Sequence, residues 1–517
     1  MFVRPLSAVA SAPAGAAAAV WRHCCWYWRK TSPLIITRNP INSPRPPCSF
    51  TWSAVSSSDH PRHLRSSPGL MKNPDTEPPP VKRRKSSECE YASDGVQPGP
   101  KNSVSKERRE RSPVPPGTLY PHLTRTKEIR TELKRQWEEL TESCETTSVG
   151  AFDFSVMSYN ILSQELLLSN TYLYRHCNPY VLQWHHRFSN LIAELEHHSA
   201  DIMCLQEVQE DHYQRQIKPR LEHLGYQCEY KRRTGRKLDG CMIAFKKSHF
   251  TLSSLHPVEF FRQGIQILDR DNVGLIVVLK PALESGLDRS ICVVTTHLLY
   301  NPRRGDIKLA QLALLLAEIS RVALQDDGTT CPVLLCGDFN SVPTSPLYTF
   351  ITDSKLEYAG IPIGKVSGQE ESPRGQRVLT PPLWPPSLGI SQLCQYECKT
   401  NADPDVQKSS NGLNMRHIEH GLKLTSVYSH FLKGNGHREI TTCHSRTAIT
   451  VDYIFYSAAQ SHESSYTECR AAQDQGLELL SRLALVSESQ LRQVNLLPNH
   501  RHSSDHLPLI ARFRLHT

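Results

Sequence analysis

Six short stretches of the chain place carboxylate, amide or imidazole side chains directly after apolar, strand-like runs. Ligands gather beyond the strand ends of open α/β sheets, so these polar groups are candidates for one shared site. Each motif is weak alone, because an isolated Asp-His or a strand-terminal Glu usually pairs or caps locally. Six of them in one chain predict a catalytic or ligand-binding site. The stretches are SYNI at 158–161, LQEV at 205–208, TTHL at 295–298, CGDFN at 336–340, VDY at 451–453 and SSDH at 503–506.

The fourth stretch carries Asp338 and Asn340 two positions apart. Residues two apart on an extended chain project to the same side, so both side chains are expected to face one ligand. The carboxylate would ligate a metal or deprotonate a nucleophile, and the amide would donate hydrogen bonds to an oxyanion. The alternative is a simple turn, because Asp and Asn favour turns by bonding their own backbone.

Apolar runs at strand length alternate with helical patterns from residue 152 onward, which predicts an α/β fold with both sheet faces covered. Strands are expected at 152–161, 201–208, 226–231, 240–245, 273–279, 291–299, 332–340, 448–456 and 507–514. Helices are expected at 125–143, 185–198, 211–224, 306–324 and 477–494. Polar, weakly periodic segments at 362–390 and 396–422 predict long loops.

Net charge divides the chain into two parts. Residues 1–150 hold 23 basic and 14 acidic residues, so they carry the whole net charge of +9, and residues 151–517 are neutral. Nineteen of the 36 prolines also lie at or before Pro121. We therefore predict a disordered basic Pro/Ser-rich extension at 1–120, a helical lead-in at 121–150 and a catalytic domain at 151–517. A neutral domain must bind a polyanion through local patches.

Cysteine and apolar patterns predict an intracellular protein. The 16 cysteines show no Cys-x-x-Cys pair and no even spacing, which is typical of a reduced compartment. The longest apolar stretches are too short to span a membrane, for which about 18 residues are needed. The cytoplasm and the nucleus both fit, since 82–85 (KRRK) reads either as an import signal or as a solvated charge run. Residues 1–58, basic and without an acidic residue, resemble a mitochondrial transit peptide as an alternative.

The order of the six motifs resembles the endonuclease/exonuclease/phosphatase superfamily, whose members cleave phosphoester bonds with a divalent metal. The resemblance implies a four-layer α/β sandwich of two packed mixed sheets flanked by helices. Longer stretches are similar to the carbon-catabolite-repressor/nocturnin family, and three more are similar to its Angel branch. The first group is MSYNILSQ, CLQEV, DGCMIAFK, THLLYNPRRGDIKLAQ, CGDFNSVPTSPLY, VDYIFYS and SSDHLPL; the second is PIGKVSGQE, WPPSLGIS and TTCHSR.

The resemblance implies a role for each motif residue. Mg²⁺, with Mn²⁺ as an alternative, would be bound by Glu207 and Asp505 and supported by the amide of Asn160. Either Asp338 or His506 would be the base, and Asp452 would hold His506. Asn340 and His297 would contact the phosphate oxygens.

Cationic residues near these motifs are candidates for contacts with an RNA backbone. Asn301, Arg303 and Arg304 follow His297 and are predicted to bind substrate, the alternative for the arginines being a solvated helix start. A second basic run at 231–237 would form a rim for the RNA backbone, or an ordinary solvated turn.

The chain departs from the deadenylase pattern at residues 444–449 (HSRTAI), where adenine-selective relatives carry a base-stacking aromatic. The preferred hypothesis is therefore removal of terminal 2′,3′-cyclic phosphates from single-stranded RNA 3′ ends, an activity associated with the Angel branch. The alternatives are 3′-to-5′ exonucleolysis or deadenylation of mRNA tails, a non-catalytic mRNA 3′-UTR-binding protein, and a phosphatase of a small nucleotide or inositol lipid. No leucine-rich repeat precedes the domain, so we do not expect a core subunit of the large deadenylase complex. The oligomeric state stays open.

Overall fold

The computed structural model describes residues 132–140, 151–282, 289–370, 377–397, 415–458 and 476–516. The predicted extension at 1–120 and the candidate targeting segments within it lie outside these ranges. In chain order the strands are β1 Trp137–Glu139, β2 Ala151–Asn160, β3 Ile202–Gln209, β4 Tyr226–Arg232, β5 Asp239–Lys246, β6 Phe250–Glu259, β7 Val273–Pro281, β8 Ile291–His297, β9 Val333–Asp338, β10 Lys355–Glu357, β11 His417–Glu419, β12 Thr425–Ser426, β13 Thr442–His444, β14 Thr447–Ile449, β15 Asp452–Tyr456, β16 Leu477–Leu483 and β17 Leu509–His516.

Helices connect the strands. They are α1 Gln164–Ser169, α2 Trp184–His198, α3 Glu210–His212, α4 Lys218–His223, α5 Gly305–Ala323, α6 Pro346–Asp353 and α7 Glu488–Gln493, with a π-helical turn at Tyr213–Ile217 joining α3 to α4. Of these helices, α2, α4, α5 and α6 pack on the outer faces of the sheets. No helix in the described ranges is long and apolar enough to cross a membrane.

Two mixed sheets contain most of the strands. The seven-stranded sheet has the order β1-β16-β17-β2-β3-β5-β4, and the six-stranded sheet has the order β12-β15-β9-β8-β7-β6. Each sheet contains one parallel pair, β2 with β3 and β8 with β9, and each pair is joined by a helical crossover. The remaining two-stranded sheets pair β10 with β11 and β13 with β14.

Central strands such as β8 and β9 are buried on both faces because layers cover both sides of their sheet. Alternate residues of one strand enter different cores: Val156 lies between the two sheets, and Met157 packs against the layer of α2 and α4. In the other sheet, Val293 faces the partner sheet and Val294 faces α5. The result is four layers, helix, sheet, sheet and helix. The apolar pattern predicted the covered sheet faces, and the family resemblance implied the four layers.

Two predicted helices are wrong where the structure describes them. Residues 132–140, within the helix predicted at 125–143, are extended, and β1 pairs with β16. Arg135 anchors this segment by donating to the carbonyls of Ala484 and Pro508, both at 2.8 Å. The first half of the helix predicted at 477–494 is β16, because pairing with β17 outweighs the helical tendency of its leucines. The sheet thus begins before the predicted boundary at residue 151.

Other differences concern boundaries. The strand predicted at 448–456 is two strands, β14 and β15, separated at Thr450 and Val451. The loop predicted at 396–422 contains β11, which pairs with β10, while 398–414 lie outside the described ranges. Strand β6 was not predicted; at most of its positions it is partly or fully exposed, so it lacks a continuous apolar run.

Candidate active site

Strand register brings four of the predicted residues to one edge of the two sheets. Asn160 ends β2 opposite Gln206 of the parallel strand β3, one residue before Glu207. In the other sheet, His297 and Asp338 are register partners at the ends of β8 and β9. Asp452 begins the antiparallel strand β15 and is also the register partner of Asp338. Because parallel strands end at the same edge, residues far apart in sequence meet there.

Glu207 lies at an irregularity of its strand. The register between β3 and β5 shifts between Leu205 and Val208, and Glu207 adopts a left-handed φ of 55°. This backbone costs a non-glycine residue about 1 kcal/mol, and such strain is concentrated at functional sites. The carboxylate accepts hydrogen bonds from Asn160 Nδ2 at 3.1 Å and from the Ser163 amide at 2.9 Å.

Burial, together with the neighbouring charges of Asp239 and Asp505, raises the pKa of Glu207, and His297 opposes this effect. A cation near Glu207 would therefore favour the charged form of the carboxylate.

Asp338 occupies the centre of the site and is buried. Its Oδ2 accepts a hydrogen bond from Asn160 Nδ2 at 3.2 Å and lies 3.5 Å from His297 Nε2 and 4.0 Å from His506 Nε2. Its Oδ1 accepts from the backbone amide of Asn340 at 2.9 Å. Four imidazole or amide groups thus surround one carboxylate.

Asn340 reaches the site through a turn and not through strand periodicity. Strand β9 ends at Asp338, and Asn340 has a left-handed φ of 48°, which Asn tolerates better than most residues. Its Nδ2 donates to the carbonyl of Leu298 at 3.1 Å. The prediction that Asp338 and Asn340 lie two apart on one extended strand is therefore wrong, because the strand ends at Asp338 and a turn places Asn340.

His506 and Asp452 form a buried imidazole-carboxylate pair, with 2.8 Å between Nδ1 and Oδ2. Thr441 Oγ1 donates to the same oxygen at 2.6 Å and accepts from the amides of Val451 and Asp452. Burial alone would lower the pKa of His506, but Asp452, Asp505 and Asp338 together raise it well above its ordinary value. These charges favour the protonated form of His506, whose Nε2 lies 4.0 Å from Asp338 Oδ2.

The donor set fits a divalent cation. Four carboxylates, those of Glu207, Asp338, Asp452 and Asp505, face one another across the site, and hard cations prefer such oxygens. Asp505 Oδ2 accepts from Tyr174 at 2.8 Å, whereas Oδ1 of Asp505 and Oδ1 of Asp452 are buried without a hydrogen-bond partner among the described residues. The ligand atoms of Asp338, Asp452 and His506 also lie within 4.8 Å of one another, so this group could hold a metal ion.

Glycine at position 337 allows β8 and β9 to approach each other at the site. A Cβ atom there would lie 2.1 Å from the Thr296 carbonyl oxygen, and the φ of 144° is one that side chains rarely adopt. The contact is with backbone, which cannot move aside like a flexible side chain. Gly337 is therefore required to place His297 beside Asp338.

Two buried basic side chains bind the backbone of the loops that carry the site. Arg187, on α2, donates to the carbonyls of Ser503 and Ile161 at 2.7 Å each, and so joins the loop before His506 to the loop after β2. Lys308, on α5, donates to the carbonyl of Asn340 and, at 3.1 Å, to Gln369 Oε1. Lys308 is fully buried, so its ammonium is not available for a contact with an RNA backbone.

The predicted substrate contacts lie at the rim. Arg303 is exposed, with its Nε 3.3 Å from Glu370 Oε1. Arg304 pairs through two nitrogens with Asp306, both at 3.0 Å, which offsets its charge. Asn301 Oδ1 accepts from the amide of Arg303 at 2.9 Å, so it shapes the turn. A role of all three in binding substrate stays a prediction.

The basic run at 231–237 is partly neutralised within the protein. Lys231 pairs with Glu259, Arg232 with Glu210 and Arg233 with Asp239. These three cations are therefore poorer candidates for an RNA backbone rim than the sequence indicated.

Several residues of the site were not predicted from the sequence. Tyr174 binds Asp505, Thr441 binds Asp452, and Ser504 Oγ donates to the Asn160 carbonyl at 2.6 Å. Tyr174 and Thr441 lie in segments without a strand-end motif. Ser504 lies within the sixth motif, where its adjacency to Asp505 was the only signal.

Comparison with known proteins gives consistent matches. The sequence profile of the endonuclease/exonuclease/phosphatase family matches residues 157–506. Protein angel homolog 2 of Danio rerio is 55% identical over 548 residues, which cover 100% of this chain and 95% of the relative. Protein angel homolog 2 of Homo sapiens is 57% identical over 384 residues, which cover 71% of this chain and 70% of the relative. The crystal structure of ANGEL2, a 2′,3′-cyclic phosphatase, in complex with adenosine-2′,3′-vanadate is 56% identical, with a TM-score of 0.65, and covers 74% of this chain and 99% of that one.

Proposed function

This chain belongs to the endonuclease/exonuclease/phosphatase family, and we propose that it is a Mg²⁺-dependent hydrolase that removes terminal 2′,3′-cyclic phosphates from RNA 3′ ends. The observation that carries the proposal is the position of Asp338, a buried carboxylate surrounded by His297, Asn160 and His506. Such a centre can activate water beside a phosphodiester. The 56% identity to a 2′,3′-cyclic phosphatase supports the choice of substrate.

Asp338 is proposed as the general base. The sequence left this role open between Asp338 and His506. Three carboxylates favour the protonated form of His506, which has no free site to accept a proton from water, so we assign the role to Asp338. Water would attack phosphorus and transfer its proton to Asp338. Asp338 is oriented for this by the amides of Asn160 and Asn340, which bond its two oxygens.

His506 is proposed as the proton donor to the leaving group. When the bond between phosphorus and one ribose oxygen breaks, that oxygen takes the proton from His506 Nε2, and the ring opens to a phosphate monoester. A second water must then cleave the remaining bond between phosphorus and ribose oxygen in the same way, which releases inorganic phosphate and leaves both ribose hydroxyls free. Asp452, 2.8 Å from Nδ1, keeps the imidazolium oriented and compensates its charge before the transfer. Asn340 and His297 would donate to the non-bridging oxygens as negative charge develops on them.

Glu207 and Asp505 would hold Mg²⁺, with Asn160 bonded to Glu207 beside them. When bound, Mg²⁺ would supply electrostatic stabilisation of the phosphate charge. The fit rests on the excess of carboxylates and on Asp505 Oδ1, which is buried without a hydrogen bond among the described residues and lies 3.9 Å from His506 Nε2. Binding of Mg²⁺ to the full-length protein, measured by isothermal titration calorimetry, should be weakened in Glu207→Gln and unchanged in a surface control such as His437→Gln.

The reaction is tested on matched single-stranded RNAs that end in 2′,3′-cyclic phosphate, in a 3′-hydroxyl poly(A) tail or in a non-adenosine 3′-hydroxyl. Full-length protein is incubated with each RNA in Mg²⁺ or in a chelator. We expect loss of the cyclic end at unchanged chain length, only with Mg²⁺, and none in Asp338→Asn or Asn340→Ala. Release of nucleotides would indicate an exonuclease instead. Binding of RNA with no product from any end would indicate a non-catalytic protein.

A further inference from the structure

Two buried side-chain amides that the proposed reaction does not use lie behind His297. Asn272 directly precedes β7, and Gln311 lies in the second turn of α5. Gln311 is also the last residue of the stretch THLLYNPRRGDIKLAQ, which begins one residue before His297. Both side chains are buried, so their polar atoms need hydrogen-bond partners inside the protein.

The two amides form a continuous chain of hydrogen bonds with the backbone at the end of β8. Asn272 Nδ2 donates to the His297 carbonyl at 3.0 Å, and Gln311 Nε2 donates to Asn272 Oδ1 at 3.2 Å. Gln311 Oε1 accepts from the Leu299 amide at 3.0 Å. The chain therefore starts and ends on one turn of backbone, which runs from His297 to Leu299.

The direction of this chain is fixed by its two ends. A backbone carbonyl can only accept and a backbone amide can only donate, so the Asn272 nitrogen must face His297 and the Gln311 oxygen must face Leu299. The remaining oxygen of Asn272 and the remaining nitrogen of Gln311 then match each other. Apolar residues of the same size at the two positions would remove all three hydrogen bonds.

The ring of His297 depends on this backbone for its orientation. Its Nε2 lies 3.5 Å from Asp338 Oδ2, but its Nδ1 is buried without a hydrogen bond among the described residues. The other imidazole of the site differs, because Asp452 holds His506 through Nδ1. A ring without such a bond is placed by its rotamer and its backbone, so a shift of the turn moves Nε2 of His297 directly.

We propose that Asn272 and Gln311 form an amide clamp that positions His297 for its contact with the reacting phosphate. The inference rests on the proposed function, in which His297 donates to a non-bridging oxygen. Neither amide contacts the substrate, so both are positioning residues. Because Gln311 belongs to a helix that is buried along most of its length, the amide clamp ties the turn to an element packed in the core.

The contacts of the amide clamp are measured first, without turnover. Hydrogen exchange of the full-length protein, followed by mass spectrometry of the peptide that contains Leu299, reports whether the Leu299 amide is bonded. Gln311→Met keeps the length of the side chain and removes the acceptor, so exchange at Leu299 should become about 10-fold faster. Gln311→Glu should keep it slow, because burial favours a neutral carboxyl, which accepts and donates as an amide does. Ile319→Val, which shortens another buried side chain of α5, is the control and should leave it unchanged.

Turnover of RNA that ends in 2′,3′-cyclic phosphate is the second measurement. A misplacement of about 1 Å can slow a reaction about 100-fold, so Asn272→Leu and Gln311→Met should lower kcat about 10- to 100-fold. KM should be retained, because His297 acts on charge that develops in the transition state. Gln311→Glu and Ile319→Val should keep most of kcat.

A double-mutant cycle separates positioning from a general loss of stability. Asn272→Leu should cost little further kcat in His297→Ala protein, whereas general destabilisation would cost the same factor in both backgrounds. Unchanged exchange at Leu299 in Gln311→Met, or equal losses of kcat in the two backgrounds, would overturn the amide clamp. Faster exchange in Gln311→Met, together with a wild type that hydrolyses no cyclic phosphate, would keep the contacts of the amide clamp and refute the proposed function.

Discussion

Lys308 is a fully buried lysine whose contacts are oxygens of uncharged groups. Its replacement by methionine tests how strongly burial lowers the pKa of a group beside the site. Its ammonium donates to the Asn340 carbonyl and to Gln369, and no ion pair with it occurs within the described residues. Burial lowers the pKa of Lys308 from 10.5 to about 7, and the charge of Asp338 opposes the shift only in part. Lys308→Met keeps the length of the side chain and removes the titrating group.

The sign of the effect follows from proton linkage. The unfolded chain keeps a proton on Lys308 up to pH 10.5, whereas the folded protein releases it near pH 7. The free energy of unfolding of the wild type therefore rises with pH across this window, by up to about 1.4 kcal/mol per pH unit. Between pH 7 and pH 9 the wild type should gain about 2 kcal/mol relative to Lys308→Met.

The assay is urea unfolding of the wild type and Lys308→Met at pH 7, 8 and 9, followed by circular dichroism. The difference in unfolding free energy between the two proteins cancels other titrating groups. Lys247→Met, which replaces an exposed lysine, should show no change of this difference with pH. A difference that is flat between pH 7 and pH 9, or that falls, would refute the reasoning that burial neutralises Lys308.

Three further predictions concern single residues. Asp452→Asn removes the carboxylate whose Oδ2 lies 2.8 Å from His506 Nδ1. A charge-assisted hydrogen bond contributes about 1.5 to 3 kcal/mol, so kcat should fall about 10- to 100-fold while RNA affinity is retained. An unchanged kcat would contradict the pairing. Gly337→Ala places a Cβ 2.1 Å from a backbone oxygen, so thermal unfolding should reveal a loss of about 3 kcal/mol, and wild-type stability would contradict the close approach. Arg187→Met leaves the Ser503 and Ile161 carbonyls without their donor. The free energy of unfolding should fall by at least about 3 kcal/mol, and kcat should fall as well. Full activity would show that the loops hold their positions without Arg187.

Long apolar runs made most of the architecture predictable. The strand that ends at His297 is buried along its whole length. A strand that is buried on both faces shows a continuous apolar run in the sequence, and this run does not depend on which strands lie beside it. Leu477–Leu483 shows the limit, because its leucines suit a helix as well as a strand, and pairing with β17 decided between them. The helix predicted for the lead-in is wrong at 132–140 for the same reason, because β1 is stabilised by its pairing with β16.

Sequence alone determined which residue types are available to the chemistry, because each of the six motifs contains a carboxylate, an amide or an imidazole. The predicted place directly after a strand is wrong for two motifs, since Asp452 begins β15 and the sixth motif precedes β17. The sequence could not determine which of these groups meet. Strand register made Asp338 the neighbour of both His297 and Asp452, and a left-handed turn aimed Asn340. The assignment of His506 as an acid depends on three carboxylates that gather around it only in the fold. Electrostatic energies depend on distance and burial, and both are properties of the tertiary structure.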